Sequence, residues 1–577
     1  MPIYLASWGS AAPPMSPYLA TACLGSPQRL PASTGGHVAE AVVSGAAAAP
    51  GVFSRKASGL VRVGNTLDVF IFNVGLVSVG IAIAYNQYYG PSLYPGAQPW
   101  IATLLAALGM IFVAAAFYCW SVVFPRSGGV YVFLSRTINP GVAFVMSLIE
   151  TIILLYYAAL AAGLIVQVGL SSFFGAVGMV SGNATMTSWG VSVEKPQGVF
   201  WIGALIIVAA GALLASGTRR YFTFQRVLFV VAVLGLAVIA GVMLFGSRSG
   251  FDSSLTSLTR LRAGQVIAAA GKHGFVTAGT SFSESWKFII WPLLPLLGAV
   301  QSVGIGGEVK KVRRSQLFGM LGAVVATGLV IALFALLSNK DFGYTFQGAV
   351  AFNTLSGVSA TTPTAPWFAV LAGILGHNVF LSVVILATFA AWIWFWIPAE
   401  MAYTTRSMIA WSFDRVAPDR LGFVSETLHT PIVAIAVSTV GAVVFMWLIA
   451  FKAVAFLTFI EVLLVVWGAV MVSAVIFPLR RRRLYESSPA ATFRLLGVPI
   501  MPVAGVISAV FFAVMFWLLW KDPIAAGALF KSSKIPVEFW ITVAAVVVGT
   551  GWYLWIKAYR KRRGINIRLA FQQIPIE

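Results

Sequence analysis

Acidic residues are scarce: 17 Asp and Glu stand against 38 Lys and Arg in 577 residues, a net charge of +21. Charged residues of both signs make up only 10% of the chain, where a soluble domain carries roughly 25% to keep its surface in water. Two cysteines, Cys23 and Cys119, exclude a scaffold stapled by disulfides. The four histidines show no metal-ligand spacing, and there is no CxxC pair and no nucleotide-binding loop. No cofactor, metal site or catalytic cluster is expected, so the chain does not read as an enzyme. The basic excess lies between apolar runs rather than in one patch, which points to membrane topology and away from nucleic acid.

What is abundant is apolar sequence, 59% of the chain. It comes in runs of about twenty residues, the length that crosses roughly 30 Å of hydrocarbon as a helix. The fold class expected is an all-α integral membrane protein of about twelve spans. They are placed near 68–89, 98–123, 140–172, 197–216, 225–246, 288–306, 317–338, 366–400, 431–451, 453–478, 498–520 and 537–557. The long third and eighth runs read either as tilted helices or as a span plus a loop, and a tight turn is expected near Lys452. Residues 1–60 are rich in Ala, Ser, Pro and Gly and broken by Pro13, Pro14, Pro17, Pro27 and Pro31. They read as a disordered leader, not as a signal peptide. Residues 61–480 then form the transport core, and 481–577 hold spans 11 and 12 with a basic tail. Most Lys and Arg fall in segments that alternate crossing places on one side, so both termini are expected in the cytoplasm of a multi-pass cell-membrane protein. Asn183-Ala184-Thr185 is a glycosylation sequon on an expected outer loop.

Inside hydrocarbon every backbone polar group needs a partner, so Gly and Pro clusters within a span demand an explanation. Span 1 places Asn73, Gly75, Ser78 and Gly80 at mid-membrane depth. Span 6 runs from Trp291 to Glu308 through Pro292, Pro295, Gly298, Gly304, Gly306 and Gly307, which removes helix hydrogen bonds and stiffness together. A bland reading is close helix packing through small residues. Interrupted helices at matching positions of two five-span halves, however, are the best sequence pointer to a transporter's binding site. Half-helix N-termini there offer N–H groups to a carboxylate, and freed carbonyls accept from an ammonium group.

Gly298 with Glu308 ten residues on, followed by Val309-Lys310-Lys311-Val312-Arg313-Arg314, resembles the signature of the amino acid–polyamine–organocation (APC) permeases. Pro125-Arg126-Ser127-Gly128-Gly129-Val130-Tyr131 is similar to that family's loop after span 2. Arg406, Asp414, Ala417-Pro418 and Thr430-Pro431 resemble its pattern between spans 8 and 9. The resemblance covers roughly residues 60–480. It implies a LeuT-type 5+5 inverted repeat plus two C-terminal helices, moving amino acids or related amines by alternating access. It also implies a substrate site at Leu76, Ser78, Val79 and Gly80 in span 1 and at Leu294, Leu297 and Gly298 in span 6. Several positions depart from the family. Ser78-Val79-Gly80-Ile81 keeps only part of the Gly-Ser/Thr-Gly-Ile motif. Leu294 stands where an aromatic often covers the substrate, Val300 replaces an acidic residue, and Lys311-Val312 replaces Asn-Pro.

Ionisable residues within spans are costly and functional by default. Glu150, about 15 Å into span 3, is the leading candidate for carrying a proton or pairing with a cation, and Glu461 in span 10 is a second. Asp68 and Glu308 lie near membrane boundaries, where they can pair with Lys or Arg as a gate or as ordinary salt bridges. For sodium, Ser382 and Thr388 supply hydroxyls in span 8, but no adjacent hydroxyl pair exists. The expected partner is a coupling proton or sodium ion, or the carrier is an exchanger, with proton coupling or exchange preferred because Glu150 lies within the membrane. His377 with Asn378 reads as a satisfied interior pair, and Gln167 as a hydrogen bonder between helices. Trp392, Trp394 and Trp396 read as anchors near the inner interface. A carrier of a non-amino-acid solute on the same fold is the alternative. A channel would need a filter motif, and none is found.

Overall fold

The computed structural model describes residues 59–452, 458–522, 537–567 and 571. The expected leader falls outside these apart from its last two residues, as does the turn expected after Lys452. Among the described residues, twelve helices are long and apolar enough to cross a membrane. They are Thr66–Leu93, Pro99–Val123, Pro140–Ser181, Pro196–Ala215, Thr218–Phe245, Phe282–Gly304, Val312–Asp341, Val379–Phe413, Ile432–Phe451, Phe459–Arg480, Ile500–Lys521 and Val537–Arg562, named spans 1 to 12. The third run is one continuous helix with a π-helical turn at Ile165–Ser171. Gln167 lies in that turn and is exposed, with no hydrogen bond among the described residues. The expected interhelical bond is therefore not made.

The eighth run needed correction. Residues 366–400 are not one element: a short helix, Phe368–Gly376, ends at His377 in the left-handed conformation (φ 43°). Asn378 then caps a new helix by accepting from the Leu381 N–H, and that helix continues to Phe413. An Asn side chain at a helix start satisfies an otherwise orphaned N–H, so chain direction resets there without any loss of hydropathy. The 247–287 connection also holds two short helices, Arg248–Thr259 and Ala263–Lys272, too short and polar to show as apolar runs.

Spans 1 and 6 run in opposite senses: the start of span 1 meets the end of span 6, and Tyr89 near the end of span 1 stacks on Trp291 near the start of span 6. One face collects the ion-paired arginines Arg136, Arg226, Arg406 and Arg560 and is called the basic face below. There the chain just before span 1 pairs with the chain just after span 6. The Val63 and Gly64 N–H groups both donate to the Glu308 carbonyl at 3.0 Å, and the Lys310 N–H donates to the Gly64 carbonyl at 2.7 Å.

Candidate functional site

Span 1 is two helices, Thr66–Val77 and Val79–Leu93, separated by one residue. That residue is Ser78, held in the left-handed region (φ 49°, ψ 68°). A non-glycine residue pays strain there and keeps the conformation only when its surroundings enforce it. They do: the Ser78 hydroxyl donates to the Trp392 carbonyl of span 8 at 3.0 Å. On each side of the break a glycine admits an aromatic ring from span 8. Gly75 lies against Phe395, and Gly80 against Trp392 and Phe389.

Span 6 changes from α-helix (Ile290–Leu297) to 3₁₀-helix (Gly298–Gly304) at Gly298. This is the position where the two broken helices touch. A Cβ added at Gly298 would lie 2.5 Å from the carbonyl carbon and oxygen of Leu76 and 2.8 Å from the Val77 nitrogen. The backbones of the two interruptions are thus in direct contact. Leu76, Ser78, Val79, Gly80, Leu294, Leu297 and Gly298 are all buried around this junction. The structure gathers the sequence-predicted binding residues in one place.

The groups freed by unwinding are re-satisfied by side chains from two neighbours. Asn73 of span 1 accepts from the Ser302 N–H at 2.9 Å and donates its amide to the Ser302 hydroxyl at 3.0 Å. That hydroxyl donates to Gln316 Oε1 of span 7 at 2.6 Å, and Gln316 Nε2 donates to the Ser302 carbonyl at 3.1 Å. Asn73, Ser302 and Gln316 are each fully buried. An Asn73→Ala variant strands the Ser302 N–H without water, a loss of about 1–3 kcal/mol. The expected result is a lower unfolding temperature of the purified protein.

Two carboxylates lie at comparable depth, about 15 Å into span 3 for Glu150 and about 20 Å from the basic end of span 8 for Glu400. Both are buried. Glu150 Oε1 accepts from the Tyr403 hydroxyl at 3.0 Å and from the Trp467 indole at 2.9 Å. Glu400 Oε1 accepts from the Trp396 indole at 2.9 Å and from Gln301 Nε2 of the 3₁₀ segment at 3.3 Å. The second oxygen of each, and Gln301 Oε1, have no partner among the described residues. Glu400 and Tyr403 are three residues apart on one helix face, so span 8 links the two carboxylates to each other and to the broken part of span 6. Sequence reasoning missed Glu400 because it closed a run thought to end there. The Asn378 cap was the signal that span 8 starts later and carries Glu400 inside. The same shift moves the tryptophans: Trp392 and Trp396 are interior side chains, not interface anchors.

The other candidates are dispersed. Glu461 is buried in the first turn of span 10, near the face opposite the basic one. Thr388 donates to its own helix at the Val384 carbonyl, and its hydroxyl abuts Gly235 of span 5 rather than span 1. Ser382 donates to the Gly373 carbonyl at 3.4 Å. The side of span 8 that meets the span 1 break therefore presents Phe389, Trp392 and Phe395 instead of hydroxyls.

Charge pairs gather on the basic face. Glu308 and Arg406 form a buried two-pronged pair at 2.6 and 2.9 Å. Arg136 and Asp414 are likewise buried together at 2.7 Å. Asp68 pairs with Arg226 at 2.6 and 2.7 Å, but Arg226 is 43% exposed. Toward the opposite face, Tyr88 stacks on Trp367 at 4.3 Å and Tyr89 on Trp291 at 4.4 Å, joining span 1, span 6 and the segment before span 8. The junction thus lies between an aromatic layer and an ionic one. A family model described as amino acid permease matches residues 65–550, most of the chain. No curated protein matches it.

Proposed function

Starting from a chain that belongs to the amino acid permease family, we propose that it carries amino acids or related organic amines across the cell membrane by alternating access. The family points to a small-molecule transporter rather than an enzyme. The observation that carries the proposal is the contact between the two broken helices at Leu76–Val77 and Gly298. A helix restarting at Val79 directs its first N–H groups, which have no intrahelical acceptor, toward the break. They suit a substrate carboxylate, and freed carbonyls of span 6 suit an ammonium group. In this reading spans 1–5 and 6–10 are inverted halves and both termini are cytoplasmic. The ion pairs of the basic face form the inner gate, and the Tyr88–Trp367 and Tyr89–Trp291 stacks form the outer one.

The coupling ion in this reading is the proton. Glu150 and Glu400 are buried and each keep an oxygen without a partner among the described residues, and Gln301 ties Glu400 to the 3₁₀ segment of span 6. Span 8 offers aromatic rings, not hydroxyls, to span 1, which disfavours a sodium site there. Ligand binding stabilises a folded protein by mass action, so a thermal-shift screen of amino acids and amines across pH identifies the substrate. Uptake of that compound into proteoliposomes is expected to saturate, to support counterflow and to continue undiminished when potassium replaces sodium. Current that rises linearly without saturation would instead indicate a channel. A Glu150→Gln variant is expected to lose the pH dependence of uptake, and a variant keeping it removes Glu150 as the proton carrier.

A further inference from the structure

Five cations on the basic face, Arg136, Arg226, Arg406, Arg482 and Arg560, have a carboxylate partner. Of the others, one group is gathered around a single cavity. Lys311, Arg313, Arg314 and Arg494 surround a cavity of about 830 Å³ between spans 2 and 7 and the segment leading into span 11, and among the described residues no carboxylate lines it. None of the four has a carboxylate partner among the described residues, and all four are exposed. Four like charges around one cavity repel each other, and an anion between them relieves that repulsion. The N-terminus of span 7, at Val312, opens onto the same cavity. Its first N–H groups and its dipole also favour negative charge.

The remainder of the cavity is mostly apolar. Leu317, Phe318 and Leu321 of span 7 continue up the wall from the cations, and Phe318 is 56% exposed. Beside it, residues Arg494–Leu495 and Val498–Pro499 form a two-stranded hairpin. Its turn residues Leu496 and Gly497 both have positive φ, the geometry of a tight two-residue hairpin turn. Leu495, Leu496 and Val498 are exposed, Leu496 almost completely (97%). An apolar hairpin tip with no cover among the described residues suits a membrane interface. The hairpin's base is fixed: Phe493 stacks on Tyr118 of span 2 at 5.3 Å, and the Arg313 guanidinium sits over the Phe493 ring at 5.0 Å.

We propose that this cavity binds an anionic phospholipid. Its phosphate sits among Lys311, Arg313, Arg314 and Arg494, its acyl chains follow Leu317, Phe318 and Leu321, and the hairpin tip dips into the same leaflet. Charge complementarity selects the headgroup, and the continuous apolar wall selects a lipid over a soluble phosphate. Lys311 follows Glu308 by three residues, so headgroup binding holds the linker that carries the Glu308–Arg406 pair. Lipid composition thereby acts on the basic-face closure.

The test uses the full chain, delipidated in detergent. It is titrated with phosphatidylglycerol, with phosphatidylethanolamine of equal acyl length, or with inorganic phosphate. Retained lipid is read by native mass spectrometry and the unfolding temperature is read alongside. Phosphatidylglycerol is expected to bind at least about tenfold more tightly than phosphatidylethanolamine, and inorganic phosphate to give no stabilisation at the same concentration. The variant R313Q/R314Q/R494Q is expected to bring the lipid ratio close to one. Arg494→Gln alone, on the exposed hairpin, is expected to lower it and serves if the triple variant does not fold. Equal binding of the two lipids by the parent, an unchanged ratio in a folded variant, or stabilisation by inorganic phosphate matching that of phosphatidylglycerol would overturn the proposal.

Discussion

Gly298→Ala is expected to reduce uptake roughly a hundredfold, since misplacing a reacting or binding geometry by about 1 Å commonly has effects of that size. The glycine lies in ordinary helical conformation (φ −58°), so an alanine meets no backbone strain of its own. Its methyl group instead falls 2.5 Å from the Leu76 carbonyl and 2.8 Å from the Val77 nitrogen, about 1 Å inside normal contact. Those atoms are backbone and cannot rotate away, so the two broken helices must separate. Overpacking of this kind costs about 1–3 kcal/mol, which a membrane protein of this size survives. The variant is thus expected to fold and bind lipid normally while failing in counterflow. Gly241→Ala in span 5 is the control, since a Cβ there meets nothing within 4 Å. A Gly298→Ala protein that transports like the parent would remove the span 1–span 6 junction as the working site.

The second large effect is expected at the buried Glu308–Arg406 pair. Arg406→Leu leaves the Glu308 carboxylate, 1% exposed, without its cation. Breaking one side of a buried pair costs about 3–5 kcal/mol, because an uncompensated charge remains out of water. Glu308→Leu is expected to cost a similar amount by stranding Arg406, whose other acceptors among the described residues are the Ala402 carbonyl and the Thr405 hydroxyl. The double variant, with neither charge, is expected to recover most of the loss. Unfolding temperatures of the four proteins in detergent measure this cycle, and a double variant no more stable than the worse single one contradicts it. Arg226→Leu provides the contrast. Arg226 itself reaches solvent, and its buried partner Asp68 also accepts from the Asn65 N–H at the start of span 1, so the loss is expected to be smaller than for Arg406→Leu.

Both predictions rest on residues that the sequence marked for different reasons. Gly298 and Glu308 stood out by their spacing, and Ser78 by its place among glycines at mid-span. The junction was legible because Gly and Pro create local hydrogen-bond deficits that show in any helical stretch. Glu150 was legible because a carboxylate in an apolar run has no inexpensive explanation. Glu400 was not, since reading span 8 as 366–400 put it at a boundary where charges are ordinary. Hydropathy cannot see a left-handed His377 followed by an Asn cap, because both flanks are equally apolar. The short helices of the 247–287 segment were missed for the converse reason, being polar enough to pass for loop.

Taken alone, the sequence determined the solvent of this protein, the number of its crossings, and which crossings are interrupted. Each of these depends on residues adjacent along the chain, through run length, composition and missing backbone donors. Only the tertiary structure decided what the interruptions meet. Asn73 reaches Ser302 across 229 residues, Glu150 meets Trp467 across 317, and Arg406 finds Glu308 across 98. Such pairings depend on how each helix is rotated about its axis and how close neighbours approach. Side-chain packing between helices sets both, and no periodicity within a single apolar span encodes them.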